Sequence, residues 1–165
     1  MGDPAGRRLD PLDMKVVSLL QHDGRASNAE IARRLGVSEG TIRRRIGSLT
    51  SAGVIRVVAV TNPFAVGLNT LVLIHLSVEV TAWRSVADAL VKMPETRYVA
   101  YSTGEHDMTI EALFPSNHEL LLFLRDRLSQ VPGIVRVETT IQLEVLKRNY
   151  EWWPRGGGEE EQGAV

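Results

Sequence analysis

Ser38, Glu39, Gly40, Thr41, Arg43 and Arg44 form one short cluster whose side chains suit contact with a polyanionic backbone and with base edges. Hydroxyls donate to phosphate oxygens, and the planar guanidinium fork matches both phosphate and the edge of guanine. Such groups act together only when one surface presents them. The spacing supplies it, because Gly40, Arg43 and Arg44 recur at the three- to four-residue interval of a helix face, with Glu39 beside them. Ile42, Ile46 and Leu49 fall on the opposite side and make the stripe to be buried. Glu39, Gly40 and Arg43 are the candidates to reach base edges and Arg44 is a candidate phosphate contact. Ser38 can cap the helix and still donate to a phosphate. The plain reading of the same stretch is a helical hairpin used only for packing.

The elements that must hold this face lie around it. Over residues 27–46, SNAEIARRLGVSEGTIRRRI predicts two short helices and a tight turn. Ser27 and Glu30 stand at capping-box spacing, the hydroxyl accepting from a first-turn amide and the carboxylate reaching back to the cap amide. Ile31, Ala32 and Leu35 share one face, Gly36 makes a positive-φ corner, Val37 packs under it, and Ser38 caps a longer helix running to about Ala52. This is the pattern of a helix-turn-helix whose second helix enters a major groove. Ahead of it, Asp10-Pro11 reads as an N-cap and first-turn proline, and Leu12, Val16, Leu19 and Leu20 carry a helix to about His22. Three helices over residues 9–58 give a head whose small core is marginal alone. Arg45 lies between Ile42 and Leu49 on the helix wheel, so its guanidinium is assigned to a structural pair with Asp13 of the first helix and not to the groove. Arg25 and Ser27 join the candidate DNA contacts. Arg33 and Arg34 read equally well as backbone contacts and as solvated charges.

Composition narrows the partners. Residues 1–58 carry ten Lys/Arg against six Asp/Glu, while the remainder carries nine against fourteen, so a net charge of -1 conceals a basic first part and an acidic second part. Only the first part suits a polyanion. The chain has no cysteine, which excludes disulfides, thiol catalysis and Cys-ligated zinc. No run approaches the roughly 18 apolar residues of a membrane span, and MGDPAGRRLDPLD lacks a signal-peptide core. The expectation is a cytoplasmic protein without membrane contact. His22, His75, His106 and His118 lack metal-ligand spacing, and no catalytic constellation or phosphate loop is recognisable, so neither metal nor cofactor is expected.

Beyond the head, Val54, Ile55, Val57, Val58 and Val60 make a β-prone run that reads as a wing or a strand leading out, and residues 59–69 read as linker and hinge. From Thr70 the period becomes two. Val72, Ile74, Leu76 and Val78 alternate with Leu71, Leu73, His75 and Ser77. A helix carrying Trp83, Val86, Leu90 and Met93 follows, then a strand at 98–102 and the turn Thr103-Gly104-Glu105-His106-Asp107. Further along come a strand at 108–114, a helix opened by Ser116 with Glu119, and a last strand from Ile134 to about Lys147. The order β-α-β-β-α-β over residues 70–150 is ferredoxin-like, so the fold class is α+β. Leu71 and Leu73 on the uncovered face suggest self-association there. Residues 1–8 and the acidic tail 151–165 are expected to be disordered, with Trp152-Trp153 as aromatic packing of the chain end. By itself the Gly104 turn is a hairpin connection.

Taken together, several motifs in one order resemble the Lrp/AsnC family, the feast/famine transcriptional regulators: Leu9-Asp10 with Asp13, Arg25, Ser27 with Ile31-Ala32, Leu35-Gly36-Val37-Ser38, Arg45-Ile46 with Leu49, Gly53-Val54-Ile55, Gly104 with Asp107, and Pro132-Gly133. The resemblance implies a winged helix-turn-helix on double-stranded DNA, a homodimer built through the ferredoxin-like domains, often further assembled to an octamer, and an amino-acid-like effector between subunits. It implies an effector site at Tyr101, Thr103, Gly104, Glu105, His106 and Asp107, with Thr139 and Thr140 of the last strand. There the turn amides would hold a carboxylate and Asp107 an α-amino group. Two positions depart from the family pattern: His106 replaces a frequent aromatic such as Tyr, and Pro11 a polar residue. Two other readings stay open, a tetrapyrrole (siroheme-type) decarboxylase of similar architecture and an effector-independent DNA-architectural protein.

Overall fold

Each helix of the first unit starts at a side chain that replaces a missing backbone partner. The computed structural model describes residues 9–148, in two units over residues 9–59 and 60–147. The lead-in with Arg7 and Arg8 and the tail with Trp152-Trp153 lie outside the described residues. Asp10 caps α1 (Pro11–His22), its Oδ1 accepting from the Asp13 amide at 2.8 Å. Ser27 caps α2 (Asn28–Leu35) and Ser38 caps α3 (Glu39–Ser51), accepting from the Glu30 and Thr41 amides at 3.1 and 3.2 Å. Only the serine half of the predicted box at Ser27 forms. The Glu30 carboxylate holds Arg34 one turn on, at 2.6 Å, a pairing that competes with the reach back to the cap. Gly36 turns the corner at φ +67°, a conformation that strains residues with a β-carbon. Val16, Ile31, Ala32, Ile42 and Leu49 form the buried core of the three helices.

The run after α3 is not a strand. Residues 54–62 carry neither helix nor strand, and Val57, Val58 and Val60 are exposed. A β-prone segment becomes a strand only with a ladder partner, and the described residues pair none with it.

The second unit follows the predicted order: β1 (Thr70–Val78), α4 (Trp83–Leu90), β2 (Thr96–Tyr101), β3 (Met108–Phe114), α5 (Asn117–Asp126) and β4 (Ile134–Ile141). The strands pair in the order β2-β3-β1-β4, each pair antiparallel. Period-two alternation places Val72, Ile74, Leu76 and Val78 on one face with Met108, Ile110, Ala112 and Phe114, and Val86, Leu90, Leu120 and Phe123 of the two helices pack on it. At the entry to β4, a β-carbon on Gly133 would lie 2.2 Å from Cβ of Ala82, the residue before α4, so glycine is what lets the backbone pass there. The last strand ends earlier than the alternation suggested. Its ladder stops at the Val72–Ile141 pair, with one further bond from the Gln142 amide to the Leu71 carbonyl, because β1 itself begins at Thr70.

The uncovered face differs from expectation. Leu71 is 2% exposed and Leu73 half-buried within the chain itself. Around them runs a polar row in which Ser102 Oγ meets Thr109 Oγ1 at 2.8 Å, Thr109 Oγ1 meets His75 Nδ1 at 3.3 Å, and Arg97 pairs with Glu111 at 3.1 Å. Leucine alternation alone therefore does not make this face an apolar patch.

Candidate functional site

On α3 the hydrophobic stripe fixes which side chains can leave the head. Ile42 and Leu49 are fully buried, so Glu39, Gly40, Arg43 and Arg44 stand exposed on the other side. Arg43 Nη2 lies 2.8 Å from Glu39 Oε1, one turn back, and Arg44 Nε donates to the Gly40 carbonyl at 3.4 Å. Two of the three candidate base readers, Glu39 and Arg43, therefore hold each other in the free protein. Ser38 Oγ and Thr41 Oγ1 are 2.8 Å apart at the start of the helix, next to the orphan first-turn amides that favour an anion. Ser27 is occupied as a cap, and Arg25 is exposed with its amide on Asp23.

Arg45 points the other way. Its Nη1 lies 2.8 Å from Asp13 Oδ1 and 2.5 Å from Asp10 Oδ2, tying α3 to the first turn of α1. Asp13 is 2% exposed, whereas Asp10 sits at the rim. The helix wheel predicts the Arg45–Asp13 pair and a capping role for Asp10; the structure adds Asp10 as a second partner of the guanidinium. The signal available was the helical proximity of positions 10 and 13. The hydrogen bond from the Asp13 amide, and then that from Arg45, hold the Asp10 carboxyl below the ordinary aspartate range. Hydrogen bonds to Asp13 and Asp10 raise the Arg45 guanidinium above its usual value. Because the folded-state pKa of Asp10 is depressed, its stabilisation is present above the unfolded carboxylate pKa of about 3.9 and lost as pH falls through the lower folded value. The midpoint for melting of the three-helix unit should therefore be flat with respect to this group at pH 5–7 and decline below about pH 4, and Asp10→Asn should reduce that decline in circular-dichroism melts.

In the second unit the turn between β2 and β3 is tied to the sheet by backbone geometry. Gly104 takes φ +107°, the Asp107 amide donates to the Leu76 carbonyl at 2.9 Å, and Asp107 Oδ2 accepts from the Val78 amide at 2.8 Å. The Asp107 carboxylate thus latches the turn to the end of β1. His106 packs on His75 with ring centroids 5.1 Å apart, and its Nε2 lies 3.4 Å from Glu138 Oε2 on β4. Glu105 reaches toward Arg136 at 3.9 Å, and Arg136 also bridges Glu138.

The structure brings Thr103, Gly104, Glu105, His106 and Asp107 together and divides the rest of the predicted effector set. Tyr101 pairs with Met108 in the ladder and stacks on Trp83 of α4, which places it on the helix-covered side. Thr139 pairs with Ile74 on that same side, whereas Thr140 pairs with Leu73 on the uncovered face, two pairs further from the turn than Glu138. Alternation along a strand separates neighbours in sequence onto opposite faces. His75, Arg136 and Glu138 were missed as neighbours of the turn. Their signal was the strand order of a ferredoxin-like sheet, which sets the last strand beside the first. Among the described residues no group of three or more His, Asp or Glu side chains could hold a metal, and no helix is long and apolar enough to cross a membrane.

Comparison with known proteins agrees with this two-part geometry. Residues 9–56 match a family described as winged helix-turn-helix DNA-binding, and residues 71–152 match one described as the Lrp/AsnC ligand binding domain. An uncharacterized HTH-type transcriptional regulator of Pyrococcus furiosus is 39% identical over 143 residues, covering 86% of this chain and 97% of that one. Among solved structures, a transcriptional regulator of Neisseria meningitidis in complex with L-Met superposes with a TM-score of 0.81 at 27% identity, covering 87% of this chain and 95% of that chain. Escherichia coli AsnC shares the fold with a TM-score of 0.81 at 24% identity, covering 87% and 97%.

Proposed function

Because this chain belongs to the Lrp/AsnC family of transcriptional regulators, we propose that it acts in the cytoplasm as a homodimer, open to further assembly to an octamer. It binds double-stranded DNA through α3 and responds to an amino acid or related metabolite held between subunits at the Gly104 turn. Members of the family are regulators and not enzymes, which sets aside the tetrapyrrole decarboxylase. The observation that carries the DNA reading is the exposed Glu39–Gly40–Arg43–Arg44 face on a helix whose other side buries Ile42 and Leu49 completely. Two heads of a dimer would meet half-sites about one helical turn, or a multiple of it, apart. Exposed Val57 and Val58 in the first unit, and Val60, Leu143 and Leu146 in the second, are large apolar side chains of the kind an assembly covers. The L-Met complex of the Neisseria relative supports an amino-acid effector here. An effector acts only by binding one arrangement of heads better than another.

Selection of genomic fragments by the full-length protein, with and without each common amino acid, tests this reading. The expected result is a limited set of enriched sites whose occupancy changes with at least one amino acid. Uniform enrichment, unchanged by every amino acid, would leave the effector-independent architectural protein as the better account.

A further inference from the structure

Away from the Gly104 turn, the sheet unit holds a cleft of about 710 Å³ between α5 and the start of β2, inside the roughly 300–1,000 Å³ range of small-molecule sites. It lies toward the other end of the sheet, since β2 runs from Thr96 at the cleft to Tyr101 at the turn, a span of about 17 Å. Leu68, Leu113, Leu122 and Phe123 give it an apolar lining. The charged groups that line it are not all balanced. Asp126 is forked by Arg125 at 2.6 and 2.7 Å, and Arg97 pairs with Glu111 at 3.1 Å. Arg127 pairs with Oε1 of Glu95. Two acceptors are left over. Glu95 Oε2 is buried and has no hydrogen-bond partner among the described residues, and the exposed Glu119 carboxylate has no partner among them either.

We propose that this cleft binds a small amphipathic cation, an ammonium or guanidinium carried on an apolar body, at a site separate from the effector site at the turn. The apolar body leaves water for the leucine and phenylalanine lining. The cation donates to Glu119 and offsets its unpaired charge, and a charge-assisted hydrogen bond is about twice as strong as a neutral one. Glu95 offers a second acceptor, because the last torsion of glutamate is broad and its carboxylate turns at little cost. A carboxylate on the same body brings like charge to Glu119, and a hydroxyl brings a donor without charge, so both bind more weakly than the cation.

Titration calorimetry of the full-length protein with 2-phenylethylamine, 2-phenylethanol, 3-phenylpropionate and ethylamine tests the class of ligand, and methyl NMR spectra of the leucine-labelled protein locate it. The phenylethylamine should bind at least roughly tenfold tighter than the other three. It should move the methyl signals of Leu113 and Leu122 and leave those of Leu76, whose carbonyl accepts from the Asp107 amide at the turn. In Glu119→Gln, an exposed change that keeps the melting curve in place, the ratio of amine to alcohol affinity should shrink to within about threefold. Alcohol or propionate binding as tightly as the amine, or an unchanged ratio in Glu119→Gln, overturns the assignment of a cation. Shifts at Leu76 without shifts at Leu113 and Leu122 overturn the assignment of place. Failure of all four to bind at about 10 mM, beyond the usual millimolar end of the affinity scale, overturns the cleft as a ligand site and leaves the effector reading of the turn standing.

Discussion

Arg45→Ala is expected to loosen the three-helix unit while leaving the sheet unit intact. The substitution removes a side chain that contacts both Asp10 and Asp13, and Asp13 is 2% exposed. A carboxylate left buried without its counter-ion costs more than the pair contributed when intact. The head has five buried hydrophobic residues in its core and little reserve. Amide hydrogen exchange is the direct measurement. Protection of α1, α2 and α3 amides should fall by at least roughly tenfold, whereas β1 and β3 amides keep theirs. A compensating variant separates charge from packing: Asp13→Asn combined with Arg45→Ala leaves no buried charge and should recover part of the protection. Unchanged exchange in Arg45→Ala would mean that water takes over the role of the guanidinium and that the pair is structurally idle.

This result bears on how much of the head was legible in the sequence. The position of Arg45 on the helix wheel, between Ile42 and Leu49, was enough to take it out of the groove, because burial of a stripe dictates the direction of every other side chain on that helix. Helix starts were equally legible, since Asp10, Ser27 and Ser38 offer an acceptor where the first amides lack one. What a local pattern could not supply was the outcome of competition. Glu30 had two partners within one turn and took Arg34, and the run from Val54 to Val60 had strand chemistry but no partner within the described chain.

The sheet unit shows the same division. Alternation identified Val72, Ile74 and Leu76 as core, and they are fully buried. The neighbours of the Gly104 turn depend on register between strands distant in sequence, which alternation leaves undetermined. Hence nearness in sequence points to Thr139 and Tyr101, which the pleat carries to the other face, and gives no sign of Glu138, which register sets opposite His75. The latch from Asp107 to the Val78 amide gives a local structural reason for an aspartate in this turn, separate from any ligand.

Arg43→Ala and Arg44→Ala should separate sequence reading from backbone contact on α3. Arg43 is the more exposed end of a pair with Glu39, so on meeting DNA its guanidinium is free to exchange one carboxylate for a base edge or a phosphate with little rearrangement. Losing it should cost about 1–3 kcal/mol on a selected site and relax the preference at the bases it faces. Arg44, exposed and donating to the Gly40 carbonyl at 3.4 Å, is placed for a phosphate, and its loss should weaken all DNA alike and lower the salt slope by about one. Glu39→Gln gives the opposite sign on nonspecific DNA. It removes an anion facing the polyanion and releases Arg43, so nonspecific affinity should rise while discrimination between sites narrows. Mobility-shift titrations at two or more salt concentrations, on selected and scrambled duplexes, distinguish the three outcomes. Equal losses for Arg43→Ala and Arg44→Ala on both duplexes would assign both arginines to phosphate and leave sequence reading to Glu39, Thr41 or the shape of the groove.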